Sequence, residues 1–205
     1  MPFLLGLTGN IACGKSSVGQ LLGARFGADY IDADRLVHTL YAAGTPETRR
    51  IAERFGSDLL QPDGTIDRRA LGDRVLHDPP ALRELEAILN PGVRQAIEQR
   101  IATSDRPVVV LDAIRLVEAG LAQRCDAVWV VTCTPDLQLQ RLQASRGMTA
   151  EQAQLRIQSQ RPQAEKVAHA TSVIDNTGDT AALAVEVERA WQATVQPYLV
   201  QSSPP

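Results

Sequence analysis

Eight residues near the N-terminus carry the strongest chemical signal in the chain. Gly9-Asn10-Ile11-Ala12-Cys13-Gly14-Lys15-Ser16 fits G-x-x-x-x-G-K-[ST], the phosphate-binding loop. Its glycines let the backbone wrap an anion, and successive N–H groups and the following helix N-terminus point at phosphate oxygens. Lys15 is placed to reach the β and γ phosphates of ATP and Ser16 to hold Mg²⁺, with Ser17 closing the loop segment. Asp32 and Asp34 form a second group, a carboxylate pair fit either to take a proton from an acceptor hydroxyl or to hold a metal-bound water. For Asp32 a helix N-cap is an equal alternative. Asp112 is a third candidate, near the metal or purely structural. Arg141, Arg146, Arg156, Arg161 and Lys166, with Gly147 as a hinge, supply the mobile cations that phosphoryl transfer needs over its triphosphate. Cys13 stands just before a helix N-terminus, where the dipole lowers a thiol pKa, so it is expected to react with a bulky alkylating agent and to be shielded by MgATP.

These residues need elements to hold them. Phe3 to Leu7 reads as a buried strand, and Val18, Leu21, Leu22 and Phe26 set a helical period over Ser16 to Phe26. Tyr30 to Asp32 makes a second strand and Ala33 to Ala43 a helix ended by Gly44 and Pro46. That puts Asp32 and Asp34 at the carboxyl edge of a sheet, where open α/β folds bind ligands. From Glu47 to Ser104 the pattern is helical, with breaks at Asp63-Gly64, Asp78-Pro79-Pro80 and Asn90-Pro91, and no strand is evident. Pro107 to Asp112, Ala127 to Thr132 and Ser172 to Asp175 read as further strands. A helical stretch follows over Asp136 to Gln160, and an amphipathic helix over Thr180 to Gln196. Apolar strands alternating with helices predict an α/β fold, a parallel sheet covered on both faces in three layers.

The expected organisation is one P-loop kinase domain over 1–205, with a core of about 1–33, 106–140 and 170–200. A helical insertion occupies about 34–105 and a helical lid about 141–168; only the tail Gln201 to Pro205 is expected to fray. With 21 basic against 24 acidic residues, a formal charge of -3 and no basic run, nucleic acid is not an expected partner. No stretch approaches the ~18 apolar residues of a membrane span, and Met1 to Leu7 is neither signal peptide nor anchor. Three cysteines without a C-x-x-C pair argue against a disulfide framework or zinc site, and fit a cytoplasmic protein. The oligomeric state is not readable.

N-K-x-D is absent and the D-x-x-G match at Asp175 to Gly178 comes too late for a GTPase switch. Asp112 is followed by Ala113, without the Asp-Glu of motor ATPases, which leaves a small-molecule kinase. Five ordered patterns then resemble the dephospho-CoA kinase family over nearly the whole chain. They are Leu7-Thr8-Gly9 with Gly14-Lys15-Ser16; Ile31-Asp32-Ala33-Asp34; Asp63-Gly64-Thr65-Ile66-Asp67-Arg68-Arg69-Ala70-Leu71; Gln140-Arg141-Leu142 leading to Arg146; and Val173-Ile174-Asp175-Asn176-Thr177-Gly178. The resemblance implies transfer of the ATP γ-phosphate to the ribose 3′-hydroxyl of dephospho-CoA. Asp34 would be the base, Thr8 and Lys15 phosphate contacts, Arg141 the lid cation, Asn176 part of the adenine pocket, and the insertion with Arg69 the acceptor site. The acceptor-side candidates are thus Asp32, Asp34, His38, Arg69, Asp112 and Arg115.

Three departures mark this chain. The family's D-x-P-L-L-F-E is Asp112-Ala113-Ile114-Arg115-Leu116-Val117-Glu118, its His-Pro is Asn90-Pro91, and Asn10-Ile11-Ala12-Cys13 stands where Gly-Ile-Gly-Ser is common. Two other readings of the residues stay open: a kinase acting on a nucleoside or nucleotide, and a nucleotide-gated binding protein without transfer activity.

Overall fold

The structure is a computed structural model describing residues 1–202; residues 203–205 of the tail expected to fray lie outside it. The chain forms two compact units, one of residues 1–31 with 104 onward and one of Asp32–Thr103.

The first unit is built on five strands: β1 (Phe3–Thr8), β2 (Asp29–Asp32), β3 (Val108–Asp112), β4 (Ala127–Thr132) and β5 (Ser172–Asp175), in the order β2-β3-β1-β4-β5. β1 pairs in parallel with β3 (Leu5 opposite Val110) and with β4 (Leu7 opposite Trp129), and β4 pairs in parallel with β5. β1 and β3 are buried along their whole length, which is why they read as unbroken apolar runs. Helices α1 (Lys15–Phe26) and α9 (Thr180–Thr194) contribute Val18, Leu22, Leu183, Val187 and Trp191 to a core with Leu5, Leu7, Val110, Trp129 and Ile174. The Trp129 indole N–H, buried there, donates to Thr194 Oγ1 at 3.0 Å, and Phe26 stacks on Trp191 with ring centroids 4.1 Å apart.

The second unit holds α2 (Ala33–Thr39), α3 (Pro46–Phe55), α4 (Arg68–Val75) and α5 (Pro79–Thr103) around its own core of Ile51, Phe55, Leu59, Ile66, Leu71, Val75, Leu85 and Leu89. One antiparallel bridge, Leu60 to Ile66, spans the Asp63-Gly64 turn.

Three boundaries differ from expectation. The helix after β2 ends at Thr39 rather than Ala43, because the hydroxyls of Thr45 and Thr48 capture the carbonyls of Leu40 (2.7 Å) and Ala42 (2.8 Å) and turn the chain. Asn90-Pro91 does not end a helix; α5 runs through it. Leu85 and Leu89 before the proline and Ile97 after it are all buried, and the carbonyl that Pro91 deprives of a donor belongs to exposed Ala87, within reach of water. The stretch expected over Asp136 to Gln160 is two helices, α6 (Pro135–Arg146) and α7 (Ala150–Gln158), followed by α8 (Gln163–Val167). Gly147 at φ 61° ends α6, and the reciprocal Thr149 and Gln152 capping box starts α7.

Candidate active site

β1 ends at Thr8 and α1 begins at Lys15, so the loop between them sits at the carboxyl edge of the central strand. Its glycines answer to space as well as to conformation. A Cβ on Gly9 (φ 152°) would lie 2.3 Å from the Val131 carbonyl oxygen, and one on Gly14 (φ 93°) would lie 2.0 Å from Asn176 Nδ2. Ala12 takes φ 58°, a left-handed conformation that costs a non-glycine residue roughly 1–2 kcal/mol, at one of the positions where the resembling family carries glycine.

The loop's outward carbonyls are each held by a side chain. Gln138 Nε2 donates to Ile11 O at 2.8 Å, Arg141 Nη1 to Ala12 O at 3.3 Å, and Asn176 Nδ2 to Cys13 O at 2.7 Å. Arg141 Nη2 also donates to Asn176 O at 2.9 Å, so these two side chains brace each other. On the adjoining side Ile11 N–H donates to Gln160 Oε1 at 2.7 Å, and Asn10 Nδ2 to Arg161 O at 3.2 Å. Because a peptide is planar and trans, a carbonyl pinned on one side turns the next N–H to the other. The N–H groups of Ala12 and Gly14, each following a pinned carbonyl, are held in place in this way, and fixed dipoles of this kind bind an anion without first reorganising. Lys15, 9% exposed, donates from Nζ to Gly9 O at 3.2 Å. Ser16 and Ser17 are exposed in the first turn of α1.

A second network ties down the chain after β3. Ile114 O accepts from Thr8 Oγ1 (3.2 Å) and from Lys166 Nζ (2.6 Å), and Lys166 also pairs with Glu118 Oε1 at 2.6 Å, its side chain 3% exposed. Burial pushes the Glu118 carboxyl up, but the hydrogen bond and charge of Lys166, its own backbone and the charge of Arg115 together hold it below the ordinary carboxylate range. The Tyr30 hydroxyl donates to Asp112 Oδ2. Lys166 is therefore not the mobile cation expected of the lid; it is a buried, paired charge. Arg146, Arg156 and Arg161 are exposed. Arg115 is exposed three residues past the end of β3. Cys13 is 0% exposed, which overturns the expectation of ready modification by a bulky reagent.

In the second unit Asp32 caps α2, its Oδ1 accepting the Arg35 N–H at 3.0 Å. Asp34 lies in the first turn of that helix and His38 one turn later, both exposed. Arg69 is exposed in the first turn of α4, whose cap is Asp67. The structure thus brings Lys15, Arg141 and Asn176 to one loop, Asp112 to Tyr30, and Asp34 to the helix that carries His38. Sequence reasoning missed Gln138, Gln160, Tyr30 and Glu118. Only Glu118 had a signal, as the final residue of a family pattern.

Among the described residues no cluster of three or more His, Cys, Asp or Glu could hold a metal. One protein hydroxyl, that of exposed Ser16 beside a phosphate loop, fits Mg²⁺, which keeps water and substrate phosphate as most of its ligands. Also among those residues, no helix is long and apolar enough to cross a membrane.

A parallel sheet with a braced phosphate loop at the end of its central strand defines a P-loop phosphotransferase, and the fold is shared with shikimate kinase from Bacteroides thetaiotaomicron (TM-score 0.54, 18% identity). The family model for dephospho-CoA kinase matches residues 3–182, and the chain belongs to that family. It is 42% identical to dephospho-CoA kinase of Geobacter sulfurreducens over 92% of this chain and 96% of that one. With the Anaeromyxobacter dehalogenans dephospho-CoA kinase it shares 43% identity over 91% of this chain and 89% of that one. Dephospho-CoA kinase from Campylobacter jejuni superimposes with a TM-score of 0.71 at 26% identity, over 97% of this chain and 100% of that one.

Proposed function

We infer that this chain transfers the γ-phosphate of ATP to the ribose 3′-hydroxyl of dephospho-CoA, and that its two units divide the work. The observation that carries the nucleotide half is the bracing of the Ile11, Ala12 and Cys13 carbonyls beside Lys15. We assign Thr8 and the loop from Gly9 to Ser17 to the phosphates, Lys15 and Arg141 to the charge that develops on the transferred group, and Asn176 to the adenine end. Arg146 is assigned to the closing lid of about 141–168. Mg²⁺, held at Ser16 and by the phosphates, neutralises their charge when bound.

Asp34 is assigned as the base. It follows β2 by two residues and is exposed in the first turn of α2, whose cap is Asp32. Asp32, His38, Arg69, Asp112 and Arg115 are assigned to acceptor binding, with the helical segment of about 34–105 as its scaffold. Three free thiols fit a reducing, cytoplasmic setting. A coupled ADP-release assay over a panel of hydroxyl acceptors tests the reading. Turnover should be confined to dephospho-CoA, whereas preference for a nucleoside monophosphate, or ATP binding with no transfer, would replace it.

A further inference from the structure

The phosphate loop carries a buried thiol, and a second thiol lies against it. Cys133 Sγ lies 3.9 Å from the carbonyl oxygen of Ala12, the residue before Cys13, and each thiol shifts the other's ionisation, although 120 residues separate them in sequence. Both are buried, at 0% and 6% exposure. The Cys13 sulfur accepts from Gln138 Nε2 (3.4 Å) and donates to Gln163 Oε1 (3.6 Å), while the Cys133 thiol donates to Ala12 O. One thiol thus belongs to the loop that binds ATP and the other immediately follows β4, the strand on which the loop rests.

We propose that Cys13 and Cys133 are a redox modification site, closing to an intrachain disulfide when a peroxide is the oxidant and so disabling the ATP loop. The idea rests on the assignment of that loop to ATP. Cys13 is the attacking group. The Cys133 thiol beside it, Lys15 and Gln138 favour its thiolate, so its pKa falls to about 7 in spite of burial. Cys133, beside that negative charge and buried, is pushed far up, so it keeps its proton until Cys13 has been oxidised and that charge is gone. Arg141 and Asp175 are the other charges that face it. The third cysteine, Cys125, donates to Leu121 O at 3.4 Å and is pushed up to about 12 by burial and Asp126, so it does not attack, and it stands before β4, at the opposite end of that strand from Cys133.

The chemistry balances. Cys13 thiolate attacks one peroxide oxygen, the O–O bond breaks, and the departing hydroxide takes a proton to leave as water. Cys13 is then a sulfenic acid. The Cys133 sulfur gives up its proton and attacks the Cys13 sulfur; the S–S bond forms, the S–O bond breaks and a second water leaves. In total the two thiols lose two electrons and two protons, and the peroxide accepts both.

The geometric consequence follows from bond length. The two sulfurs must close to about 2.05 Å. Cys13 immediately precedes Gly14 at φ 93°, and its carbonyl is pinned by Asn176 at 2.7 Å, so drawing its side chain toward the end of β4 swings the peptide that carries the Gly14 N–H. A thiol reductant reverses the change.

The test treats the full-length, nucleotide-free enzyme with hydrogen peroxide and follows mass, linked tryptic peptides and dephospho-CoA phosphorylation together. The wild type should lose two hydrogen atoms and yield a peptide pair joining Cys13 to Cys133. Activity should fall roughly 10²-fold, the scale of a 1 Å misplacement in an active site, and dithiothreitol should restore it. Cys133→Ser, active before treatment, should form no link and should be inactivated beyond rescue by dithiothreitol, since Cys13 then oxidises past the sulfenic acid. The proposal fails if peroxide yields no such link, if the link joins Cys13 to Cys125, if the linked enzyme stays active, or if Cys133→Ser is inactivated and rescued like the wild type. The peptide link is read without activity, so a failed nucleotide assignment would appear separately, as a linked enzyme of unchanged ATP affinity. Should Cys133→Ser not fold, the wild-type peptide map and its reversal decide alone.

Discussion

The ATP loop and the Asp32–Thr103 unit hold their functional residues by opposite means. The loop is braced by partners far away in sequence: Gln138 and Gln160 reach Ile11 across 127 and 149 residues, and Asn176 reaches Cys13 across 163. In the other unit the candidate side chains ride on helices fixed by neighbours, Asp32 to Arg35 and Asp67 to Arg69 and Ala70. Dipoles that meet a triphosphate must be preset, because turning them during the reaction would cost part of the barrier reduction they supply. Exposed charges on capped helices keep side-chain freedom and can meet an acceptor after it binds.

The largest expected effect tests whether the preset half is the catalytic engine. Lys15→Ala should lower kcat by roughly 10³-fold or more, between the loss of one oxyanion-hole donor and the loss of an arginine finger. Turnover near normal in the ADP-release assay would break the comparison at its root. Asp34→Asn comes next. It keeps the size of the side chain and removes the proton acceptor, so kcat should fall by about 10²- to 10⁴-fold with the ATP KM unchanged. If the ATP KM rises instead, the second unit is not specialised for the acceptor.

A stability measurement separates bracing from catalysis. Lys166→Met leaves the half-buried Glu118 carboxylate without its partner and should destabilise the protein by roughly 3 kcal/mol in urea unfolding, the lower end for a broken buried pair. Adding Glu118→Leu should return most of that loss, because no lone charge remains. The pH dependence has a definite sign. The Glu118 carboxyl is lowered in the folded protein, so its contribution is present above the ordinary carboxylate range and is lost as pH falls through the lowered value. Wild type should therefore lose stability in acid by an increment that the double variant lacks, and equal acid profiles would show that the pair contributes nothing net.

What the sequence made readable follows the same division. Strands buried on both faces announce themselves as apolar runs, and a loop whose glycines are demanded locally announces itself by spacing, so the sheet and the ATP site were both accessible from residue types. Caps such as Thr149 with Gln152 lie within one turn, yet Gly147 reads as a hinge within one helix because the period of α7 nearly continues that of α6. Pro91 misled in the other direction: the local rule says break, and a buried stripe on both sides of it outweighs the one lost hydrogen bond. The bracing glutamines and the buried Lys166 could not be read, since a polar residue's partner more than a hundred positions away leaves no trace in its own surroundings.

The smallest predicted effect concerns Arg115, which belongs to the nucleotide-binding unit and yet is assigned to the acceptor. The family pattern has proline at 114 and leucine at 115. That exchange leaves the local backbone anchored, because the bonds from Thr8 and Lys166 go to the carbonyl of residue 114, which a proline also has. The change is therefore confined to side chains, and the new one is an exposed cation whose field reaches Glu118. Dephospho-CoA carries a pyrophosphate, to which such a cation is attracted with an exposed-pair energy of up to about 1 kcal/mol, or several-fold in KM. Arg115→Ala should raise the acceptor KM by that factor and leave kcat and the ATP KM nearly unchanged, and the increase should shrink as salt is added. An equal rise in both KM values would place Arg115 with the nucleotide, and the contrast between the units would then hold without exception. No change in either would make it a solvated charge, leaving discrimination among acceptors to Asp32–Thr103 alone.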